Sequence, residues 1–525
     1  MKHYIILLAA FTTLIMNAQD PQIEWQKTLG GNFSDMGRVA APSPDGGSLI
    51  ATSSLSNISG NRTVPLIGIT DVWLIKLNAA GNVQWQKAIG GSGSETPSSL
   101  ESTSDGGYIL GVLSNSDSSG DKSENSIGGK DFWIVKLNED GTIAWENTIG
   151  GSEDETAPKV AQTLDGGYLV GGSSFSNISG DKTENNVGDR DYWALKLDSN
   201  GIIVWQNTIG GVDLDQLNDI LVLSNGNYIL GGNSNSNASG DKSENSNGSD
   251  DYWIVNLNAL GDIVWENTIG GNDGDYLKFL VQKDSETILV GGNSFSGISG
   301  DKSESSRGEQ DLWILTLGLS GNILSQKTLG GDLNEFAANA VITDSNKYIV
   351  GSASSSSASG DKNEDSQGST DYWILYLDEN FNILDQNTIG GSNNDSMSTI
   401  IKDINDEIIL VGSSMSDISG DKTENSLGGF DAWIIKLKNF ALGIEEITYS
   451  EISVYPVPAS DEVYFSIQNN VFEQIEIYDA LGRLITSNYP KTNLYTLDIL
   501  NFSSGIYFCE VVVSGKKTIK KFIKK

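Results

Sequence analysis

Acidic side chains and a lysine recur at fixed positions along the chain, and these are the residues whose types could do chemistry. The motif Ser-Gly-Asp-Lys-x-Glu first occurs at Asp121, Lys122 and Glu124, and a glycine follows four residues after the glutamate. Its later copies place the acids at Asp181/Glu184, Asp241/Glu244, Asp301/Glu304, Asp361/Glu364 and Asp421/Glu424, whereas the first copy has Asn61, Arg62 and Val64.

A second acidic set follows the Gly-Gly pairs of the sequence. The residue four positions after each pair is acidic in all seven copies, at Asp35, Glu95, Glu155, Asp215, Asp275, Glu335 and Asp395. Carboxylates and oxygen-rich loops suit a hard cation such as calcium, and paired carboxylates suffice for glycosidic hydrolysis. An active site, however, needs unlike residues in unlike roles, and these acids repeat copy by copy.

A structural role is the alternative to calcium. The loop spacing is not that of an EF-hand, and a lysine beside each aspartate disfavours a cation. In the structural interpretation the aspartate caps a loop turn, the lysine pairs with a neighbouring repeat, and the second set accepts backbone N–H bonds. The pattern therefore favours structure, leaves calcium open, and assigns no catalytic, cofactor or metal residue.

Histidine and cysteine usage excludes several kinds of site. The only histidine is His3 and the only cysteine is Cys509. A Ser-His-Asp triad, a Cys-His pair and a His/Cys zinc site therefore cannot be built by the mature chain. Cys509 alternates with Tyr507 and Val511, which predicts a buried strand residue. The formal charge of -36 disfavours nucleic acid as a partner.

The elements that must position these residues repeat every 60 residues. A strand beginning Asp-x-Trp, a glycine turn and a second strand ending in Gly-Gly form a β-hairpin pattern. Asp-x-Trp begins at Asp71, Asp131, Asp191, Asp251, Asp311, Asp371 and Asp431. In the third copy we predict four strands, at 157–164, 167–174, 191–197 and 202–209. A period of this length indicates a solenoid or a propeller.

The chain ends decide between these two architectures. Residues 23–31 match the last strand of a repeat with no repeat before them, and the seventh copy stops after Leu437. A closed ring removes its open edge in this way. We therefore predict an all-β fold, a seven-bladed β-propeller over 19–440 whose N-terminal strand closes the last blade. The second acidic set should then surround one mouth of the central channel.

Both termini outside the repeats have their own patterns. Residues 1–18 read as a secretory signal peptide, with a basic start and an apolar run, and no later run is long enough to span a membrane. We interpret 441–447 as a linker and 448–525 as a small C-terminal β-sandwich domain.

Two families resemble parts of this sequence. Asp-x-Trp, the turn glycine, Thr-Ile-Gly-Gly and the following DGGYLVGGS resemble the bacterial SBBP seven-bladed propeller repeats over 23–437. The stretches 454–458, 477–484 and 504–507, with the lysine-rich end, resemble the type A C-terminal sorting domain of Bacteroidetes type IX secretion. This second resemblance implies the type IX machinery as a partner, export through the outer membrane, removal of the domain, and release or attachment at the cell surface.

These observations favour an exported, non-catalytic binding module whose long loops engage a glycan or a surface protein at several points. The alternatives are a carboxylate-based polysaccharide-degrading enzyme, and a structural or adhesive spacer with no defined ligand. Glycan binding would favour the binding module, and depolymerisation of a polysaccharide would favour the enzyme. The absence of both activities would favour the spacer.

Overall fold

The computed structural model describes residues 23–343, 346–438, 452–467, 471–479, 482–513 and 516–525. It divides the chain into two compact units, Met1–Asn439 and Phe440–Lys525. The predicted signal peptide 1–18 and linker 441–447 lie outside the described residues. Every regular element in the described ranges is a β-strand.

Six four-stranded antiparallel sheets follow one another along the first unit, each with its strands in chain order. Blade 1 is β2 (Asp35–Pro42), β3 (Ser48–Ser54), β4 (Asp71–Leu77) and β5 (Val83–Ile89); blade 2 is β6 (Glu95–Ser102), β7 (Tyr108–Ser114), β8 (Asp131–Leu137) and β9 (Ile143–Ile149); blade 3 is β10 (Lys159–Gln162), β11 (Tyr168–Ser174), β12 (Asp191–Leu197) and β13 (Ile203–Ile209). Blade 4 is β14 (Asp215–Val222), β15 (Tyr228–Ser234), β16 (Asp251–Leu257) and β17 (Ile263–Ile269); blade 5 is β18 (Asp275–Gln282), β19 (Thr287–Ser294), β20 (Asp311–Gly318) and β21 (Ile323–Leu329); blade 6 is β22 (Glu335–Ile342), β23 (Tyr348–Ser354), β24 (Asp371–Leu377) and β25 (Ile383–Ile389).

The seventh blade joins both ends of the unit. It consists of β26 (Asp395–Lys402), β27 (Ile408–Ser414), β28 (Asp431–Leu437) and, as its outer strand, β1 (Ile23–Leu29). The pairs Trp25↔Lys436 and Thr28↔Trp433 reproduce the register of β13 on β12 in blade 3. Strand β2 of blade 1 contacts both blade 2 and blade 7. The ring is thus closed, and the predicted seven-bladed β-propeller is confirmed.

The third strand of each blade is buried along its whole length, because a blade lies against it on either side. Its apolar side chains fill the spaces between blades on both faces of the sheet. A sheet that is covered on both faces needs apolar side chains on both. All seven Asp-x-Trp indoles are fully buried. Tyr192 in β12 donates its hydroxyl to the carbonyl of Trp253 in the next blade at 3.0 Å. The inter-blade packing therefore comes from the repeated positions, as predicted.

The tryptophans of the outer strands are half-buried and cover turns of the next blade. Trp145 donates its Nε1–H to the carbonyl of Ser199 at 3.2 Å and lies over Gly201. A Cβ on Gly201 would come within 2.7 Å of the indole, and its φ of 82° also favours glycine. These tryptophans pack between blades, as the regular spacing predicts.

The second unit consists of two sheets that share one core. The strands are β29 (Ser453–Tyr455), β30 (Glu462–Ser466), β31 (Gln474–Asp479), β32 (Leu484–Asn488), β33 (Leu494–Asp498), β34 (Gly505–Val513) and β35 (Lys516–Lys524). Their orders are β29-β30-β33 and β32-β31-β34-β35. Phe465 from one sheet and Ile477 from the other belong to one buried cluster. Cys509 is fully buried in β34, as predicted, and burial raises the pKa of its thiol to about 12.

Candidate functional site

The acids after the Gly-Gly pairs lie inside the blades, so the prediction that they surround the channel mouth is wrong. Asp35 and its equivalents are at most 2% exposed. Asp35 Oδ2 accepts the N–H of Gly31 at 2.6 Å and the hydroxyl of Ser56 at 2.7 Å, and Oδ1 accepts the hydroxyl of Ser54. Each of these acids faces the second strand of its own blade, where its carboxylate accepts hydrogen bonds from buried donors.

The loop aspartates fasten each blade to the preceding one. Asp121 donates its backbone N–H to the carbonyl of Gly90 at 2.8 Å, and its Oδ2 accepts the N–H of Gly90 at 3.2 Å. Asn61, which replaces the aspartate in the first copy, makes the same two contacts with Gly30 at 2.8 and 3.2 Å. The departure in copy one thus preserves the contact that closes the ring.

The loop lysines bond within their own blade, which corrects the prediction that they pair with a neighbour. Lys182 Nζ donates to the carbonyl of Glu184 at 2.9 Å and to the hydroxyl of Thr208 at 2.6 Å. Burial lowers the pKa of Lys182 to about 8, although the nearby charge of Asp191 acts to raise it. Glu184 Oε2 in turn accepts the N–H of Thr208 at 2.6 Å. These loops are therefore internally bonded, and within the described residues no group of three or more acidic, histidine or cysteine side chains is placed to share a metal.

One position of the innermost strand does not keep its residue type from blade to blade. In six blades this strand carries a β-bulge. A bulge adds one unpaired residue and re-aims its side chain, and bulges are common beside functional sites. In chain order the residues at this position are Arg38, Ser98, Pro158, Asn218, Lys278, Ala338 and Ser398. Seven equivalent positions thus carry unlike side chains, the property that the repeated acids lack.

Most of these bulge residues line one cavity on the axis of the ring. The cavity has a volume of about 520 Å³, within the size range of small-ligand sites. Ser98, Asn218, Lys278, Ala338 and Ser398 all contribute to its wall. Because the inner strands begin on the face of the long loops, the neighbouring residues Tyr276 and Phe336 place the cavity at that face.

Blades 3 and 5 bring two lysines into this cavity. The side chains of Lys159 and Lys278 make no hydrogen bond or ion pair with another described residue, although both line the wall. Burial lowers the pKa of Lys278, and the nearby charge of Lys159 lowers it further. The buried lysines of the third strands, by contrast, are paired, as Lys136 is with Asp105 at 3.0 Å. The cavity therefore presents an exposed lysine, Lys278, and a half-buried one, Lys159, whose ammonium groups form no direct hydrogen bond or ion pair within the described residues.

Two carboxylates lie among the inner-strand residues. Glu101 Oε2 accepts the N–H of Gln162 at 2.9 Å, and Asp219 Oδ2 accepts that of Leu280 at 2.8 Å. Burial, reinforced by the charge of Asp219, raises the pKa of Glu101 to about 7. Burial also raises the pKa of Asp219, and the nearby Lys159 opposes that shift. Each carboxylate joins two adjacent inner strands and keeps one oxygen free of that bond.

Exposed apolar side chains follow the second strands of alternate blades on the same face. Phe295 makes an edge contact with Tyr276, the two ring centroids being 6.3 Å apart, and Phe175 lies 5.4 Å from the guanidinium of Arg190. The equivalent residues of blades 1, 3, 5 and 7 are Leu55, Phe175, Phe295 and Met415, all exposed. We call these four the apolar rim.

Sequence reasoning missed this cavity, although a signal was present. Within each copy the Asp-x-Trp and Gly-Gly positions repeat, whereas the position of Lys278 changes character from copy to copy. A position that varies within a strict repeat is one the fold does not specify.

The comparisons with known proteins identify the second unit. Residues 453–525 match the family of secretion system C-terminal sorting domains, and the two-sheet fold agrees with the predicted β domain. The chain ends in a type IX secretion sorting domain. This domain implies export by the type IX machinery to the cell surface or the extracellular space. Among the described residues, no helix is long and apolar enough to cross a membrane.

Other comparisons found proteins of lower similarity. The chain is 24% identical over 220 residues to the regulatory protein FlaEY of Caulobacter vibrioides, which covers 40% of this chain and 23% of that protein. The WD40 domain of Neurospora crassa Pan2 is 10% identical, with a TM-score of 0.42, and the match covers 79% of this chain and 97% of that domain. A Dyadobacter fermentans protein of unknown function is also 10% identical, with a TM-score of 0.40, covering 79% of this chain and 99% of that one. The fold assignment rests on the strand pairing within the chain itself.

Proposed function

We propose that the protein is an exported, non-catalytic binding protein that takes its ligand at the axial cavity and the apolar rim. The observation that carries this proposal is the set of unlike side chains that the inner-strand bulges gather on the axis. A rigid ring that presents a varied cavity and exposed aromatic residues on one face suits recognition. A glycan or a surface protein is the ligand class this surface suits.

The apolar rim supports the same face. Phe175 and Phe295 are exposed, and Phe295 contacts Tyr276, which lines the cavity. Aromatic residues on a polar surface are typical of binding positions for sugars and proteins because one ring provides a large apolar contact. Their place on blades 3 and 5, which also supply the two lysines, makes this side of the mouth the centre of the proposed site.

A glycan array probed with the full secreted chain tests the proposal. The unmodified protein should bind at least one glycan class, and Asn218→Ala with Phe295→Ser should remove most of that signal. A matched control is Val204→Ser with Leu324→Ser, which changes exposed residues of outer strands β13 and β21. Loss of binding in the control, or full retention in the cavity variant, would place the site elsewhere.

A second candidate function is carboxylate-based polysaccharide cleavage. It is favoured by Glu101, whose raised pKa suits a general acid beside the carboxylate Asp219. Both groups, however, bond to the backbone of the neighbouring inner strand, which is a structural role. Release of reducing ends from a polysaccharide that stops in Glu101→Gln would establish the enzyme, and no release by the unmodified chain would exclude it.

For export, we propose that signal 1–18 is removed on entry to the periplasm and that the sorting domain then directs the propeller to the outer surface. Deleting 453–525 should leave a folded propeller inside the cell envelope. Fractionation with an antibody against the propeller measures this outcome, and undiminished appearance outside the cell would refute it.

A further inference from the structure

The two lysines of the axial cavity form no side-chain hydrogen bond or ion pair with another described residue, and Asp219 is a carboxylate close enough to Lys159 to feel its charge. The chain has 69 acidic and 33 basic residues, so a lysine on this protein easily finds a carboxylate. Lys159 and Lys278 line the same cavity, and the charge of Lys159 lowers the pKa of Lys278. Two like charges in a concave space are stabilised by an anion between them.

The guanidinium of the equivalent bulge in blade 1 has the same character. Arg38 donates to the sulfur of Met36 at 3.2 Å, its buried Nε has no partner among the described residues, and burial lowers its pKa. Of the seven bulge residues, two are cationic and none is acidic. Of these two cationic positions, Lys278 lines the cavity.

The opposite wall of the cavity is apolar. Blades 6 and 7 supply Phe336, Ala337 and Met397, and Phe336 is 45% exposed. Such a wall contributes nothing to a bare inorganic ion, but the C–H face of a sugar ring packs well against an aromatic side chain. Asn218 of blade 4, between the two lysine-bearing blades, and Tyr276 of blade 5 also line the cavity and carry groups that can bond hydroxyls.

The nearby carboxylates limit how much negative charge the cavity accepts. Asp219 lies close enough to Lys159 to feel its charge, and Glu101 lies close to Asp219. A ligand with one acidic group and several neutral hydroxyls meets these groups better than a polyphosphate, because its uncharged part can face the carboxylates.

We propose that the axial cavity binds one acidic residue of a glycan, with its carboxylate or sulfate group between Lys159 and Lys278 and its ring against Phe336. This inference rests on the proposed binding function and narrows its ligand to acidic sugars. Lysine is suited to this role because its ammonium has three donors and a compact charge.

Calorimetry on the full chain with matched pairs of trisaccharides tests the inference. The panel holds galacturonate, glucuronate and mannuronate trisaccharides with their methyl esters, and a sulfated galactose trisaccharide with its unsulfated form. At least one acidic member should bind ten or more times more tightly than its neutral counterpart, and added NaCl should weaken it. Carboxylate and sulfate sources are distinguished by which pair shows the difference.

Single substitutions locate the charge. Lys159→Met and Lys278→Met should each weaken binding of the acidic trisaccharide at least tenfold. Neither variant should change binding of the neutral counterpart. Lys130→Met is the matched control, because Lys130 is an exposed lysine of a long loop. The melting temperature of unliganded Lys278→Met should equal or exceed that of the unmodified protein, because the charge of Lys159 disfavours that of Lys278. That of Lys159→Met should change little, because Lys159 is near both Lys278 and Asp219. These measurements separate lost binding from lost folding.

The outcomes separate this inference from the proposed function. Equal binding of acidic and neutral partners, or an undiminished Lys278→Met, would overturn the acidic-sugar assignment. Binding of neutral glycans alone would do the same and leave the binding function standing. Failure of every acidic and neutral glycan on the panel and the array overturns the acidic-sugar assignment and removes the glycan form of the proposed function.

Discussion

Removing one glutamine from the closing strand tests whether the ring is locked by the N-terminus. Gln26 in β1 accepts the indole N–H of Trp433 at 3.0 Å and the N–H of Thr423 at 3.2 Å, and donates to the carbonyl of Asp421 at 2.7 Å. Gln206 in β13 makes the same three bonds within blade 3, at 3.1, 3.2 and 2.7 Å. The two glutamines differ in chain connection: Gln206 lies in a strand that follows the other strands of its blade, whereas Gln26 lies in β1, which comes from the N-terminal end of the propeller.

The expected cost follows from these bonds. Each hydrogen bond contributes about 1 kcal/mol net, and the buried indole N–H left unpaired adds more, so either Gln→Ala change should cost about 2–4 kcal/mol. Because the contacts are equivalent, the two variants should destabilise the propeller by equal amounts. Urea denaturation followed by tryptophan fluorescence measures both midpoints. A Gln26→Ala variant as stable as the unmodified protein, beside a destabilised Gln206→Ala variant, would show that β1 does not close the ring.

Three further outcomes are expected. Burial raises the pKa of Asp191 to about 6 and that of Glu101 to about 7. Protonation of these two groups therefore stabilises the fold fully near pH 4, and this stabilisation is lost as the pH rises through 6 to 7. The melting temperature should fall across this pH range, and a melting temperature that rises would contradict the raised pKa values. Gly150→Ala would place a Cβ 2.0 Å from Asp131 Oδ1 and should lower the free energy of unfolding by roughly 3 kcal/mol. The control Gly505→Ala meets no atom within 4 Å and should lower it by less than about 1 kcal/mol. Equal losses in a denaturation experiment would refute the close contact at Gly150. Deleting 20–30 should remove β1 altogether and lower the melting temperature by about 5 °C or more, since the loss of Leu29, Trp25 and Ile23 alone amounts to roughly 5 kcal/mol; an unchanged melting temperature would contradict closure by β1.

The sequence was sufficient for the blades because their residues repeat. The hairpin ending at Gly150 is marked by alternating apolar residues and turn glycines, and local patterns of this kind determine strand pairing. The strand at 23–29 is recognisable as an outer strand because the last strands of the six complete repeats have the same pattern. Cys509 was predictable from alternation alone.

The acids and the cavity required three-dimensional information. Asp35 lies at the start of an inner strand, but which way its carboxylate points depends on its pairing with Ser54 in the neighbouring strand. Lys159 and Lys278 are two blades apart in sequence and meet only because the ring closes around the axis. The bulge that turns Lys278 into the channel shifts the register by one residue between Leu277 and Phe279, and alternation of residue types does not show such a shift.

A crystal structure of the full chain soaked with the acidic trisaccharide that binds best tests the central claim most directly. We predict density for one sugar residue on the ring axis, with its acidic group within hydrogen-bonding distance of Lys159 and Lys278. Ligand bound on the outer strands, with an empty axial cavity, would contradict it.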